Sequence, residues 1–289
     1  MIDVLRGRRG GAWSDRALAL LAAASLAFLF LPIVTAVLYA FNEGIDGRQT
    51  VEFTGFTTKA FGDVFRHEQV MSALSTGMRV AILGCLIGTV LGTLAGLAMA
   101  RARSRTLRIA LTVLVGAILV VPEVVVAVAI LLFFTESGVQ LGLGTMVAGL
   151  TPYPIAVVAL IVRSRAVALD GALEEAAADL GAPPGTAFRD VVVPQLRPAI
   201  IAAAILSFTF TFDNLVTASM LSTPTVSTLS SYLYATVTKG GVTPLAYAVA
   251  ALMFAFTLVL LAVAGLLYRW DSRRQGNSGS IVKLTGGDA

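Results

Sequence analysis

Cysteine, histidine and charged residues are all scarce in this chain. It has one cysteine, one histidine and 13% charged residues in 289 positions, whereas globular domains carry about 25% charged residues. One cysteine excludes an internal disulfide, and with one histidine it excludes a zinc site built from several such residues. The Gly-x-x-x-x-Gly-Lys-Ser/Thr phosphate loop is also missing, so ATP binding through that motif is excluded.

Apolar runs dominate what is present, since 57% of the residues are hydrophobic. A helix needs about 20 mostly apolar residues to cross a bilayer. Six runs reach that length: about 17–41, 72–100, 107–134, 145–164, 198–221 and 244–268. The first exceeds the usual 7–15 apolar residues of a cleaved signal peptide, so we expect a retained anchor. The pattern predicts an all-α integral membrane protein with six transmembrane helices.

Lysine and arginine are distributed unevenly between the segments that join these runs. Sixteen fall on the side of the membrane that holds both termini, four fall on the other side, and Arg79 lies within the second run. Cytoplasmic segments carry the excess of positive charge. We therefore expect a multi-pass protein of the bacterial inner membrane with a cytoplasmic tail at 1–16, a membrane domain at 17–270 and a cytoplasmic tail at 271–289. The net charge of +4 then reflects topology, and no nucleic-acid partner is expected.

The longest cytoplasmic loop, about 165–197, interrupts the apolar pattern with a short amphipathic helix. Asp170 is a suitable N-cap, and Glu174 and Glu175 follow where the helix dipole favours negative charge. Gly181 stands where a left-handed C-terminal cap is expected. Small apolar residues recur along one side of this helix: Ala172, Ala176, Ala177 and Leu180.

Two interpretations of this loop are open from its residues. It could be a linker that lies on the lipid headgroups, but an anionic inner leaflet repels its acidic face. A short helix with a narrow alanine stripe is better suited to a groove on a partner protein.

The spacing of this loop resembles the EAA loop of ATP-binding-cassette importer permeases. Glu175-Ala176-Ala177 is followed after three residues by Gly181, and after nine more by Val191-x-Val193-Pro194. Valine replaces the family's isoleucine and leucine at two of these positions. The stretches "VPEVVVAVAILLFF" and "SFTFTFDNLVTASMLSTPTVSTLSSYLYATV" are similar to the second permease subunit of spermidine/putrescine-type importers.

The resemblance implies a type I importer permease fold and a set of partners. A coupling helix would dock on a cytoplasmic ATPase through Glu175, Ala176, Ala177, Gly181 and Pro194. The implied partners are a second homologous permease subunit, two ATPase subunits, an extracytoplasmic substrate-binding protein and the lipid bilayer. No cofactor is expected in this chain, because the ATPase subunits would bind ATP and Mg²⁺.

Three ionisable residues, Arg79, Glu123 and Asp213, lie within the predicted spans. At 1.5 Å per residue, Glu123 is roughly 24 Å and Asp213 roughly 22 Å from the cytoplasmic side. Membrane carboxylates usually face a bundle interior or a water-filled path, so both are candidates for a path suited to a cationic solute. Arg79 lies near the outer end of its span and is expected to extend its side chain outward.

Polar residues share a broad face of the predicted fifth span. At 100° per residue, Asp213 lies on one arc with Ser207, Thr211, Asn214 and Thr217. The candidate pathway residues are therefore Asp213, Asn214, Thr217, Thr211 and Glu123. A hydrogen-bonded seam between two helices is the alternative for this stripe.

Other functions remain to be weighed against an importer subunit. A stand-alone secondary transporter or channel is disfavoured because no inverted repeat and no helix pair broken by glycine or proline are evident. A membrane-embedded enzyme is disfavoured by the lack of titratable groups. A permease of the same class for a different solute stays open.

The charge asymmetry gives a direct test of topology. We expect reporter fusions at either end of the chain to report a cytoplasmic location, because both ends carry the positive excess. Cysteine labelling at the same positions should show protection from membrane-impermeant reagents. An extracytoplasmic C-terminus would contradict the predicted number of spans.

Overall fold

The computed structural model describes residues 12–285, with side-chain detail over residues 16–266. Arg6, Arg8 and Arg9, which enter the topology prediction, lie outside the described residues. The helices are α1 Ala12–Tyr39, α2 Lys59–Arg66, α3 Glu68–Arg101, α4 Arg105–Val120, α5 Glu123–Glu136, α6 Leu143–Leu150, α7 Pro152–Val167, α8 Ala172–Asp179, α9 Pro184–Ala187, α10 Val193–Phe212, α11 Val216–Leu221, α12 Leu229–Gly240 and α13 Pro244–Thr285. A single π-helical turn, Phe188–Val192, joins α9 to α10.

The predicted all-α membrane architecture is confirmed. Five helical stretches are long and apolar enough to cross a bilayer: Arg16–Tyr39, Glu68–Arg101, Leu143–Val167, Pro184–Phe212 and Pro244–Leu266. The bent pair α4 and α5 supplies a sixth if the two helices are counted as one span. Across residues 12–285 the only β-structure is two isolated bridges in the segment between α1 and α2.

The third predicted span is not one continuous helix. α4 ends at Val120, α5 begins at Glu123, and the two axes differ by 102°. Pro122 causes the break, because proline has no N–H to donate and forces the residue before it out of the helical region. Val121 is accordingly extended, with φ −68° and ψ 130°. The expectation that no helix pair is broken by proline was therefore wrong.

The fifth predicted span is also interrupted. The helical stretch begins at Pro184, before the predicted start at 198, and α10 ends at Phe212. Asp213, Asn214 and Leu215 separate α10 from the short helix α11. A helical wheel that runs through residue 217 therefore places Thr211, Asn214 and Thr217 on one face, although they do not belong to one continuous helix.

A column of glycines on α3 lets this helix approach α7 and α10 closely. A Cβ atom on Gly92 would lie 2.6 Å from the Cβ of Val158, and one on Gly96 would lie 2.5 Å from the carbonyl oxygen of Ala159. Further along α3, a Cβ on Gly88 would lie 2.9 Å from the Oγ of Ser207. Such distances leave no room for a side chain, so backbone contact at these points requires glycine.

The segment between α1 and α2 folds into a compact loop around one buried amide. Asn42 is fully buried; its Nδ2 donates to the Oε1 of Gln49 at 2.8 Å, and its Oδ1 accepts from the backbone N–H of Thr54 at 2.8 Å. Because both ends of the amide are satisfied, the loop has a defined shape. Its outer surface is mixed: Val51 is 93% and Phe56 73% exposed, and the charged side chains of Arg48 and Glu52 are exposed beside them.

We expect Gly92→Ala and Gly96→Ala to destabilise the protein by about 1–3 kcal/mol each, as overpacking typically does. The added methyl groups would meet backbone atoms of α7, which have little freedom to move. The measurement is the thermal stability of the purified protein. Gly265→Ala on α13 is the control, since a Cβ there has no atom within 4 Å. Equal stability of all three variants would contradict the close packing.

Candidate functional site

A cavity of about 330 Å³ lies where the two interrupted spans meet. The ends of α4 and α5 form one wall, and the break between α10 and α11 forms another. Its lining includes two aromatic residues and three polar residues that come from four different helices or their ends. These are Glu123, Tyr153, Phe210, Asn214 and Thr217.

Glu123 links the two interruptions through its side chain. Its Oε1 accepts a hydrogen bond from the Nδ2 of Asn214 at 2.5 Å and another from the Oγ1 of Thr217 at 3.1 Å. Within the described part of the chain, no residue donates a hydrogen bond to Oε2. Glu123 also begins α5, where the helix dipole stabilises a negative charge. The carboxylate is exposed to the cavity and therefore reachable by a solute.

Asn214 holds the second interruption in place. Its Oδ1 accepts from the backbone N–H groups of Thr217 at 3.1 Å and Ala218 at 3.2 Å, which caps the start of α11. Its Nδ2 is thereby turned toward Glu123. The Asn214 amide thus accepts from two N–H groups at the start of α11 and donates to the carboxylate of Glu123. The break in the helix therefore leaves few backbone groups without a hydrogen-bond partner.

Two aromatic rings complete the cavity, and neither is among the pathway residues predicted from the sequence. Tyr153 at the start of α7 and Phe210 near the end of α10 contact each other edge to face, with ring centroids 5.4 Å apart. Phe210 is one of three phenylalanines in the stretch "SFTFTF", and Tyr153 lies between two prolines in "TPYP". Neither pattern distinguishes a cavity-lining ring from a packed one. The cavity thus combines one carboxylate with aromatic walls.

Asp213 and Thr211, the other two predicted pathway residues, do not line this cavity. The Oδ2 of Asp213 accepts from the Oγ1 of Thr257 on α13 at 3.0 Å, and Asp213 is exposed in the isolated chain. Thr211 is buried and packs beside Gly84 of α3, while its Oγ1 donates to the carbonyl of Ser207 at 2.8 Å. Thr211 therefore lies in a helix–helix seam, and the two carboxylates do not contact each other.

The short helix α8 forms where the sequence predicts it, but its N-cap is Gly171 and not the predicted Asp170. The Oδ1 of Asp170 accepts from the backbone N–H of Ala172 at 3.0 Å. Gly181 has φ +82°, so the predicted left-handed cap is confirmed. The N–H of Gly181 donates to Ala178 and that of Ala182 donates to Ala177, at 2.9 and 3.0 Å. These two bonds form a Schellman cap, which ends the helix sharply.

α8 contributes nothing to the core of its own chain. None of its eight residues is buried, and Leu180 just beyond its end is 89% exposed. Of the predicted coupling residues, Glu175, Ala176 and Pro194 are exposed, whereas Ala177 is half-buried. An ordered helix with free apolar side chains has the properties of a docking element.

One contact of α8 was not foreseen from the sequence. Glu174 forms an ion pair with Arg101, the last residue of α3, with 2.6 Å between Oε1 and Nη1. Both side chains are about one-third exposed. Neighbouring Glu175 is exposed, so the two adjacent glutamates point to different surroundings.

The described residues contain no group of three or more histidine, cysteine, aspartate or glutamate side chains that could hold a metal ion. Glu123 and Asp213 also have no cationic side chain within ion-pair distance among residues 16–266. Each membrane carboxylate is therefore held only by neutral hydrogen-bond donors.

Comparison with known proteins places this arrangement in a family. Residues 88–276 match the model described as binding-protein-dependent transport system inner membrane component. The spermidine/putrescine transport system permease protein PotC of Escherichia coli (strain K12) is 29% identical over 255 residues, which is 88% of this chain and 94% of PotC. The putrescine transport system permease protein PotI of the same strain is 31% identical over 220 residues, which is 74% of this chain and 77% of PotI.

A solved structure shows the same fold at lower identity. The crystal structure of a bacterial importer of the acidic polysaccharide alginate superposes with a TM-score of 0.69 and 17% identity, covering 90% of this chain and 96% of that chain. The chain is thus a multi-pass transport subunit of the inner membrane and not an enzyme. It belongs to the family of binding-protein-dependent transport system inner membrane components, the permeases of ATP-binding-cassette importers.

Proposed function

We propose that this permease carries a small polycationic amine of the spermidine and putrescine class. The observation that carries the proposal is Glu123, a carboxylate that lines an open cavity and has no cationic partner among residues 16–266. Membrane carboxylates usually mark solute or ion pathways. The cavity volume of about 330 Å³ is within the range of small-molecule sites. Two relatives that transport polyamines by name support the same solute class.

The chemistry of the cavity fits an alkylammonium group. Asn214 and Thr217 donate to one oxygen of Glu123, which leaves the other oxygen for a cation. An open aromatic face of the Tyr153–Phe210 pair would attract a cation through its ring quadrupole. An ammonium group that leaves water would recover part of its hydration energy from these three groups together.

Asp213 provides a second carboxylate on the other side of the same interruption. Its exposure in the single chain is consistent with a position facing the second permease subunit, where the two chains would enclose a common path. Glu123, Asn214 and Thr217 line the cavity and Asp213 lies beyond it, while Thr211 supports the helix seam behind them. A cation with several amines could engage both carboxylates in turn.

The exposed helix α8 is the proposed contact with the ATPase. In this assembly, two cytoplasmic ATPase subunits bind ATP and Mg²⁺, and a binding protein delivers the solute to the loop around Asn42. Both termini of the permease are then cytoplasmic. Helix shifts at subunit interfaces are one of the recurring forms of such transitions, and a short capped helix can shift as a rigid body.

Uptake into proteoliposomes tests this function. The complex should accumulate labelled spermidine or putrescine only when ATP and the binding protein are present, and arginine or a neutral sugar should compete weakly. ATP-independent uptake would instead support a stand-alone transporter. ATP-dependent uptake of a sugar, without polyamine uptake, would support a permease for a different solute.

Gly181→Val should weaken coupling to the ATPase. A β-branched residue at φ +82° costs about 1–3 kcal/mol in strain, which the loop would relieve by changing the end of α8. We expect less co-purified ATPase and less uptake. Gly181→Asn, which tolerates a left-handed conformation, should retain more of both.

Gly185→Val is the control for side-chain size in the same loop, because Gly185 has no positive φ and no neighbour within 4 Å. Normal ATPase binding and uptake in Gly181→Val would contradict the proposed docking role.

Glu123→Gln should lower polyamine uptake by at least about tenfold while the complex still assembles. Glutamine retains an oxygen for Asn214 and Thr217, so the change removes charge with little change of shape. Glu123→Ala should also reduce stability by about 1–3 kcal/mol, because it leaves both donors unpaired. Complex yield and labelled uptake should be measured together. Unchanged uptake in an assembled Glu123→Gln complex would remove this residue from the pathway.

Asp213→Asn separates a pathway role from a folding role. Asparagine can still accept from the Oγ1 of Thr257, so we expect normal yield and normal basal ATP hydrolysis with reduced uptake. Loss of yield would indicate that the carboxylate acts in folding. Normal uptake would exclude Asp213 from the pathway.

A further inference from the structure

The ion pair between Arg101 and Glu174 connects the long apolar helix α3 to the short exposed helix α8. Arg101 ends α3, a helix of 34 residues that is about 51 Å long at 1.5 Å per residue. Glu174 lies in the first turn of α8, seventy-three positions later in the chain. The two charged atoms are 2.6 Å apart, which is a close ion pair.

α8 is joined to the membrane helices along the chain and by this ion pair. None of its residues is buried, so apolar packing does not fix it to the bundle. Along the chain, residues 168–171 join it to α7, and the segment from Gly181 through the π-helical turn Phe188–Val192 joins it to α10. The ion pair with Arg101 adds a direct connection to α3, the one helix of this packed group to which the chain does not join α8.

α3 is the helix best placed to distribute such a movement. Its glycine column fits against α7 and α10 at distances that exclude any side chain. A displacement of α3 therefore has to move all three helices together, since closely packed helices do not deform continuously.

We infer that Arg101 and Glu174 form a positioning pair that transmits the displacement of α8 to α3. This inference rests on the proposed docking of α8 to an ATPase. Glu175, exposed on the neighbouring side of the helix, faces the partner, whereas Glu174 faces the permease body. The pair affects how much solute is moved for each ATP hydrolysed, and its role requires no contact with nucleotide or solute.

Charge reversal and charge exchange test the inference in the assembled complex. Arg101→Glu and Glu174→Arg should each place like charges opposite each other and lower spermidine uptake per ATP hydrolysed by about fivefold, the lower end of typical coupling effects. The double variant Arg101→Glu with Glu174→Arg should recover most of this ratio. Arg103→Glu, in the same cytoplasmic segment, changes the charge equally and should leave the ratio near that of the wild type.

Three measurements on each complex separate the possible outcomes: co-purified ATPase, ATP hydrolysis and uptake. A wild-type complex that does not retain the ATPase would contradict the proposed function. With the ATPase retained, single variants that transport normally would overturn the inference. The inference is also overturned if the singles fail and the exchanged pair fails equally, because each residue would then act through another partner.

Discussion

The glycine contacts of α3 with α7 and α10 are the constraint on which the rest of the structure depends. Hydrophobic burial provides little attraction between helices in lipid, so close backbone approach has to supply the packing. Gly92 and Gly96 provide it toward the C-terminal end of α3, where the contact with α7 excludes even a methyl group. Gly84 and Gly88 extend the contact to Thr211 and Ser207 of α10. The three helices form a rigid unit, and the more exposed elements are arranged around it.

Two interrupted helices form the cavity beside this rigid unit. Pro122 ends α4, and the residues after Phe212 end α10, so that two sets of helix ends meet at one cavity. Non-helical backbone within a membrane protein needs polar partners, and such breaks are tolerated where they line a cavity. Asn214 supplies the partners for α11 and orients Glu123 at the same time. The carboxylate therefore has structural partners and remains accessible to a cation.

Sequence patterns predicted the features that depend on local chemistry. Six apolar runs, the acidic start of α8 and the left-handed Gly181 all follow from residue type and spacing. The two helix breaks were not predicted, because hydropathy averaged over twenty residues is insensitive to one proline or one polar turn. The placement of Thr211 on one face with Asn214 and Thr217 assumed an unbroken helix, whereas α10 ends at Phe212. Tyr153 and the Arg101–Glu174 pair depend on contacts between distant segments, which periodicity does not encode.

Site-specific cross-linking from the end of α8 tests most directly whether this helix receives the motion of an ATPase. The single native Cys85 can be replaced by serine, and Leu180, 89% exposed, can then carry the only cysteine as Leu180→Cys. With a short bifunctional reagent and the assembled complex, we expect a cross-link to the ATPase subunit whose yield changes when ATP is added. A Leu180→Cys complex that transports normally but gives no cross-link to the ATPase would contradict it.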